Sequence, residues 1–365
     1  MSGGCSLLAV GILTVLLGCS GGRTPAGRPA EAVALDSTFA RGMTFAHEGY
    51  RGHNGYGGDL VGPSLDSLMR LGVNSVAIVP YTFMRSANSI DSLPVPRHYG
   101  AENDSAVRIS ITQARARGLR VMLKPQIWVR QAWPGEIDFT TEAEWDRFFN
   151  AYTAWMMHYA RMAQDQGVES LCIGTELTQA TLKYPQRWRA LIADVRRAYD
   201  GTLTYAANWG QEFEQLTFWD ALDVIGLNSY YPLSYTDAPT DAELEAGARQ
   251  WMRMADSVSL AHDRPLWLTE VGYRSVARAW INPHADAGDR PADAVAQERC
   301  YQALATAARQ STHLRGMFIW KWPSYLGHRE SREGNATGFV PGGKPAGAVL
   351  RELYGGSSRR TTPAS

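Results

Sequence analysis

The sequence of 365 residues has no excess of charge of either sign, since 36 basic residues face 36 acidic ones. With no basic excess and no block of like charge, nothing in it points to a nucleic acid or an anionic surface, and a neutral partner fits the balance best. Cysteine is scarce, with four in the chain. Cys5 and Cys19 fall near the amino terminus, while Cys172 and Cys300 fall in a strand-like and a helix-like stretch. That placement predicts buried free thiols for the latter two instead of a disulfide. No Cys/His spacing matches a zinc site. His47-Glu48 followed by His53 misses the His-Glu-x-x-His pattern because the second histidine is too far along to share a helix face, so neither a metal nor a cofactor is expected. Gly-x-Gly-x-x-Gly is also missing after the first strand, which leaves a dinucleotide without its phosphate cradle.

Long apolar runs are lacking too. The stretch 7–17 has the length of a signal-peptide core and is too short to cross a bilayer. Leu16-Leu17-Gly18-Cys19 then resembles a bacterial lipobox, although Met1 to Cys5 carries no Lys or Arg. The resemblance implies cleavage before Cys19, a lipid on its sulfur, and an exported protein held at the bacterial cell envelope by that lipid alone. Residues 1–18 are then a signal peptide, 19–40 a flexible tether, and 355–365 a polar disordered tail.

What the chain does have is aromatic rings, 12 Trp and 16 Tyr among them. Flat faces with polar tips suit amphipathic ligands such as sugars. About half of them are expected in the core instead.

Between 41 and 354, strand and helix alternate. Strands are expected at 41–46, 73–80, 120–128, 169–177, 203–208, 223–229, 266–271 and 316–322. Helices are expected at 59–71, 104–117, 142–166, 185–199, 244–260, 292–310 and 346–354. The aromatics of 142–166 recur at the helical period and are assigned to packing. About eight repeats over roughly 310 residues predict an α/β chain folded as a single-domain (β/α)8 barrel, not an open doubly wound sheet. The stretch 274–293 after the seventh strand is expected as an insertion on the active-site face, with Trp280 as lid or wall.

Active sites of such barrels lie at the carboxyl ends of the strands. Here those ends read His47 with Glu48, Tyr81, Lys124 with Gln126 and Trp128, Glu176, Asn208 with Trp209, Asn228 with Tyr230, Glu270, and Trp320 with Lys321 and Trp322. Burying so many polar groups near one axis is costly unless they bind something. Glu176 and Glu270 lie on strands four and seven, nearly opposite across the mouth, where carboxylates can approach to about 5–5.5 Å, the spacing of a retaining glycosidase. Lys124, Gln126, Trp128, Asn208, Trp209, Asn228, Tyr230, Trp320, Trp322, Tyr81 and His47 are expected to bind the substrate.

Taken together, Lys124-Pro125-Gln126-Ile127-Trp128, Gly174-Thr175-Glu176-Leu177, Gly226-Leu227-Asn228-Ser229-Tyr230-Tyr231-Pro232, Thr269-Glu270-Val271-Gly272-Tyr273 and Phe318-Ile319-Trp320 resemble glycoside hydrolase family 113 of clan A. The resemblance implies a retaining β-1,4-mannanase acting on mannan or manno-oligosaccharides, with Glu176 as acid/base and Glu270 as nucleophile. It also implies that Tyr230 hydrogen-bonds the nucleophile and that Trp320 stacks beneath the sugar at the point of cleavage. Many clan members have Asn before the acid/base, where this chain has Thr175, so the contact to the sugar 2-hydroxyl would pass to Asn208 or Asn228. Two alternatives stand beside this reading: a β-glycosidase with another substrate, and a carbohydrate-binding lipoprotein without chemistry.

Overall fold

A computed structural model describes residues 35–46, 55–89, 93–97, 102–327 and 336–355, Asp36 excepted. Cys19, His47, Glu48, His53, the expected signal peptide, most of the tether and nearly all of the tail lie outside the described residues.

The strands are β1 (Ala40–Ala46), β2 (Ser75–Ile78), β3 (Tyr81–Met84), β4 (Arg120–Leu123), β5 (Gln126–Val129), β6 (Ser170–Thr175), β7 (Thr202–Asn208), β8 (Val224–Ser229), β9 (Leu266–Val271) and β10 (Leu314–Pro323). Eight of them close a barrel in the order β1-β10-β9-β8-β7-β6-β4-β2, and every pairing is parallel. The helices are α1 (Val61–Met69), α2 (Asp104–Arg115), α3 (Glu142–Asp165), α4 (Thr178–Lys183), α5 (Pro185–Arg196), α6 (Gln211–Gln215), α7 (Asp241–His262), α8 (Ala294–Gln310) and α9 (Pro345–Leu353). This is the expected (β/α)8 barrel.

Strands such as Ser75–Ile78 and Val224–Ser229 are buried along their whole length, which explains their near-continuous apolar runs: one face meets the helices and the other fills the barrel. The barrel interior is plugged by Ala40, Ala77, Met122, Cys172, Ala206 and Phe318. Small and large side chains interleave there, so the lower barrel is packed core and not a pore. Cys172 and Cys300 are buried free thiols, as expected. Trp145, Phe148, Phe149, Tyr152, Trp155 and Met156 of α3 are buried in the outer core, confirming their assignment to packing.

Two element boundaries differ from expectation for identifiable reasons. Helix α7 starts three residues before the first periodic leucine, because Thr240 and Glu243 form a reciprocal capping box ahead of the apolar face. The third strand, expected as one piece over 120–128, is two. Arg120–Leu123 stays in the barrel, whereas Gln126–Val129 pairs with Tyr81–Met84 as a separate two-stranded parallel sheet. Pro125 separates the halves, since it has no N–H to give a ladder. Lys124 N to Ile78 O at 2.8 Å and Gln126 N to Pro80 O at 2.9 Å carry the pairing across the break.

The insertion after β9 is pinned by an antiparallel bridge between Val276 and Ala292. Trp280 is a buried anchor within it, not a lid: its Nε1 donates to Thr236 O at 2.9 Å, and the Arg299 guanidinium lies 5.3 Å from its ring centre.

Candidate active site

Irregular pairing is concentrated where the strands end. β9 carries one residue more than β8 between the pairs Leu227–Leu268 and Asn228–Glu270. Such a bulge re-aims the side chains beyond it and here sets Glu270 level with Asn228. The Pro125 break acts similarly on the third strand, leaving Lys124 at the end of the barrel segment and Gln126 at the start of the outer one, with both side chains reaching Glu270.

Glu270 is 6 % exposed and Lys124 is fully buried. The Lys124 ammonium donates to Glu270 Oε1, forming a buried ion pair. Gln126 Nε2 donates to the same oxygen at 3.1 Å, and Tyr230 Oη donates to Oε2 at 3.0 Å. All three partners are donors, which suits an acceptor-only carboxylate.

Glu176 is held differently. Asn228 Nδ2 donates to its Oε1 at 2.9 Å and Trp133 Nε1 to its Oε2 at 2.5 Å. Both donors are neutral. Burial raises the pKa of Glu176, and the nearby charge of Glu270 raises it further, against the pull of Asn228 and Trp133. The Asn228 amide is oriented by Thr269, whose Oγ1 donates to Asn228 Oδ1 at 2.9 Å. The residue beside one glutamate thus aims a donor at the other.

The backbone of Glu176 is left-handed, with φ of 54°. For a residue with a Cβ this costs about 1–2 kcal/mol, so the surroundings must impose it. Glu176 N donates to Ala206 O at 2.9 Å, and Leu177 N donates to Tyr205 Oη at 2.7 Å. Tyr205 in turn donates to Glu212 Oε1 at 2.7 Å. Glu212 also receives Thr181 Oγ1 at 2.7 Å, Asn208 N at 2.7 Å and Thr178 Oγ1 at 3.2 Å. One buried carboxylate therefore ties the ends of β6 and β7 to α4 and fixes the backbone on which Glu176 sits. Burial pushes the Glu212 pKa up to about 7.

Around the two glutamates runs a cleft with two arms. Tyr81, Gln126, Trp128 and Thr175 line one, of about 220 Å³. Asn208, Trp209, Tyr230 and Trp133 line the other, of about 620 Å³. Glu176, Glu270 and Trp320 border both. The structure thus brings together Glu176, Glu270, Lys124, Gln126, Trp128, Asn208, Trp209, Asn228, Tyr230, Trp320 and Tyr81.

Trp322 is a correction. It is 4 % exposed and points away from the cleft, with its Nε1 donating to Ser64 Oγ of α1 at 3.0 Å. Strict alternation would place it with Trp320. However, β10 carries an extra residue against β1 between the pairs Met43–Ile319 and Phe45–Trp322, and a one-residue slip sends a side chain to the opposite face. Trp133 and Glu212 were not foreseen. Trp133 sits in a loop just before Pro134, outside any periodic pattern, and Glu212 lies in a five-residue helix too short to show one.

Comparison with known proteins agrees with this geometry. The family model of glycoside hydrolase family 113 matches residues 43–344. Similar solved structures include a family 113 β-mannanase from Alicyclobacillus acidocaldarius in complex with ManMIm. It is 31% identical, with a TM-score of 0.77, over 88% of this chain and 99% of that one. A second family 113 β-1,4-mannanase is 25% identical, also with a TM-score of 0.77, over 87% of this chain and 99% of that one. A family 5 mannosidase from Rhizomucor miehei shares the fold, at 11% identity and a TM-score of 0.59, over 87% of this chain and 92% of that one. Comparison with curated proteins yields no match. With most of its length matched by the family model and two acidic side chains facing one cleft, the chain belongs to glycoside hydrolase family 113 and is a glycosidase.

Proposed function

We propose that the protein is a retaining β-1,4-mannanase that works by double displacement through Glu270 and Glu176. The observation that carries this is the unequal setting of the two carboxyls. One is ion-paired and surrounded by donors, and the other is held by neutral donors with a raised pKa. Environments that push two carboxyls apart in this way divide the roles of nucleophile and acid. The mannan assignment is supported by the two family 113 β-mannanases to which the chain is similar.

In the first step the Glu176 proton passes to the glycosidic oxygen while a Glu270 oxygen forms a bond to the anomeric carbon. The leaving sugar departs as an alcohol and a glycosyl ester remains on Glu270. In the second step Glu176, now a carboxylate, takes a proton from water as its oxygen attacks the same carbon and frees Glu270. Two inversions retain the β configuration. Lys124 faces one net negative charge throughout, because Glu270 loses its charge as Glu176 gains one. The buried ammonium therefore keeps a compensating charge nearby, since Lys124 and Glu176 act on one another through space. In this reading Trp320, which borders both arms, is the platform under the sugar at the scissile bond.

The test is a panel of mannan, cellulose, xylan and aryl β-glycosides, with the first-formed anomer followed by proton NMR. Mannan is expected to be cleaved fastest and to release the β-anomer first, with the α-anomer appearing only by later mutarotation. An α-anomer at the earliest time point would replace double displacement by inversion. Preference for another polymer would keep the chemistry and move the substrate.

We also infer that the chain is exported and lipid-anchored through Cys19, supported by the signal-like run and lipobox-like tetrapeptide alone. Expressed in a bacterium, the wild type should partition into a detergent phase and Cys19→Ser into the aqueous phase. Identical partitioning of the two would remove the anchor.

A further inference from the structure

The loop that follows β8 forms a second concave surface outside the cleft. Between that loop and α7 lies a groove of about 330 Å³, floored by the buried Leu233 and Trp251 and bordered by Tyr231, Tyr235, Glu214 and Gln250. Among the described residues it shares none of its lining with either arm of the cleft. The groove is held open by its own backbone. Gly247 of α7 lets the loop seat closely, since a Cβ there would stand 1.9 Å from Leu233 O. Leu233 N donates to Trp280 O at 2.8 Å and Trp280 Nε1 donates to Thr236 O at 2.9 Å, which ties the loop on both sides of Tyr235 to one buried anchor. Tyr235 nevertheless stands 81% exposed. A ring presented from so pinned a loop binds a ligand with little further ordering cost.

The chemistry of the groove suits a neutral, hydroxylated ligand. Among its described lining residues Glu214 alone carries a charge. Tyr235 offers an open ring face with a polar tip, and the exposed Gln250 amide offers both donors and an acceptor. The groove is also continuous with the cleft. Trp209 of the larger arm packs edge-to-face with Tyr231, their ring centres 5.3 Å apart, and Tyr231 stacks on Trp251 at 6.0 Å with 12° between the planes. Tyr231 Oη accepts from Gly210 N, next to Trp209, at 2.8 Å and donates to Glu214 Oε1 at 3.2 Å. One side chain therefore stands between the end of the larger arm and the groove, and it belongs to both.

From this we infer that the groove is a second binding site for the substrate polysaccharide, filled by sugar units of the same chain that lie beyond those held in the larger arm, with Tyr235 as their platform. The site rests on the proposed mannanase reading for the identity of its sugar. A contact so far from the reacting carbon binds ground state and transition state alike, and it adds to the hold on a chain already seated in the cleft. It lowers KM on long chains and leaves kcat unchanged.

The test compares polymeric mannan with an aryl β-mannoside, which is too short to leave the cleft. Tyr235→Ala should raise KM on the polymer about two- to tenfold at unchanged kcat, and leave both constants for the aryl substrate as they are. Tyr235→Trp, which keeps a ring, should hold the polymer KM near that of the wild type. In the inactive Glu270→Gln background, adding Tyr235→Ala should weaken binding to insoluble mannan by a similar factor. A polymer KM that Tyr235→Ala leaves intact overturns the site, and so does an equal loss on both substrates, which would mark a structural role. A dimer in sedimentation that Tyr235→Ala dissolves would assign the groove to a second copy of the chain and overturn it as well. If another polymer is cleaved and mannan is not, the mannanase reading fails. The site is then decided by the same comparison on that polymer and its aryl glycoside: a loss confined to the polymer supports it, and an even or absent loss overturns it.

Discussion

Replacing Glu270 by alanine should lower turnover of an activated aryl β-mannoside by about ten-thousand-fold or more, and added azide should restore part of the rate while yielding the α-glycosyl azide. The stereochemistry identifies the role. With the nucleophile gone, azide enters from the face that Glu270 occupied, and a single inversion converts β into α. Fold must be checked alongside, because Lys124 is fully buried and would lose its counter-ion. Breaking such a pair from one side costs about 3–5 kcal/mol. Glu270→Gln is the companion variant, since its amide oxygen can still accept from Lys124. It should melt nearer to wild type and yet be as inactive. Recovery of the β-azide from Glu270→Ala, or substantial activity in Glu270→Gln, would remove Glu270 from the nucleophile's role.

The second large effect is expected at Glu176 and depends on the leaving group. Loss of a general acid costs about 100- to 10,000-fold on natural oligosaccharides, whose alkoxide leaves poorly. A dinitrophenyl leaving group needs no proton, so Glu176→Ala should still form the glycosyl ester with it. Azide should then yield the β-azide, because two inversions have occurred. The pH profile gives an independent readout. Glu176 must be protonated to act, so wild-type activity falls as pH rises through its pKa, and the raised value carries the active range above that of an ordinary carboxyl. In Glu176→Ala that alkaline limb should vanish. A limb that persists would assign the proton to another group.

Much of this site was legible in the sequence because barrel strands announce themselves twice. The buried run gives the strand, and the first large polar residue after it gives the strand's contribution to the mouth. That logic located Glu270 with its donors Lys124 and Tyr230, and Glu176 with its donor Asn228. It misplaced Trp322 because a bulge, a feature set by the neighbouring strand and invisible in the strand's own residues, turns that side chain away from the cleft. It also ran the third strand through Pro125, since apolar residues on both sides masked the break. Trp133 and Glu212 escaped for another reason. Each acts through a single hydrogen bond or a small cluster of them, from a loop or a one-turn helix, where no period marks the position.

The same proline divides the third strand into segments under different packing constraint. Below it, Arg120–Leu123 is locked between two barrel neighbours, and a substitution there is felt by the whole core. Above it, Gln126–Val129 takes its strand pairing from Tyr81–Met84 and not from the barrel, and Trp128 stands 45% exposed at the cleft rim with its ring 5.8 Å from Phe83. This outboard pair of strands is a graft point. Its outward residues can be exchanged between relatives or diversified in a library to change which sugars enter, while Lys124, one residue before the break, stays fixed beneath the reacting carboxylate.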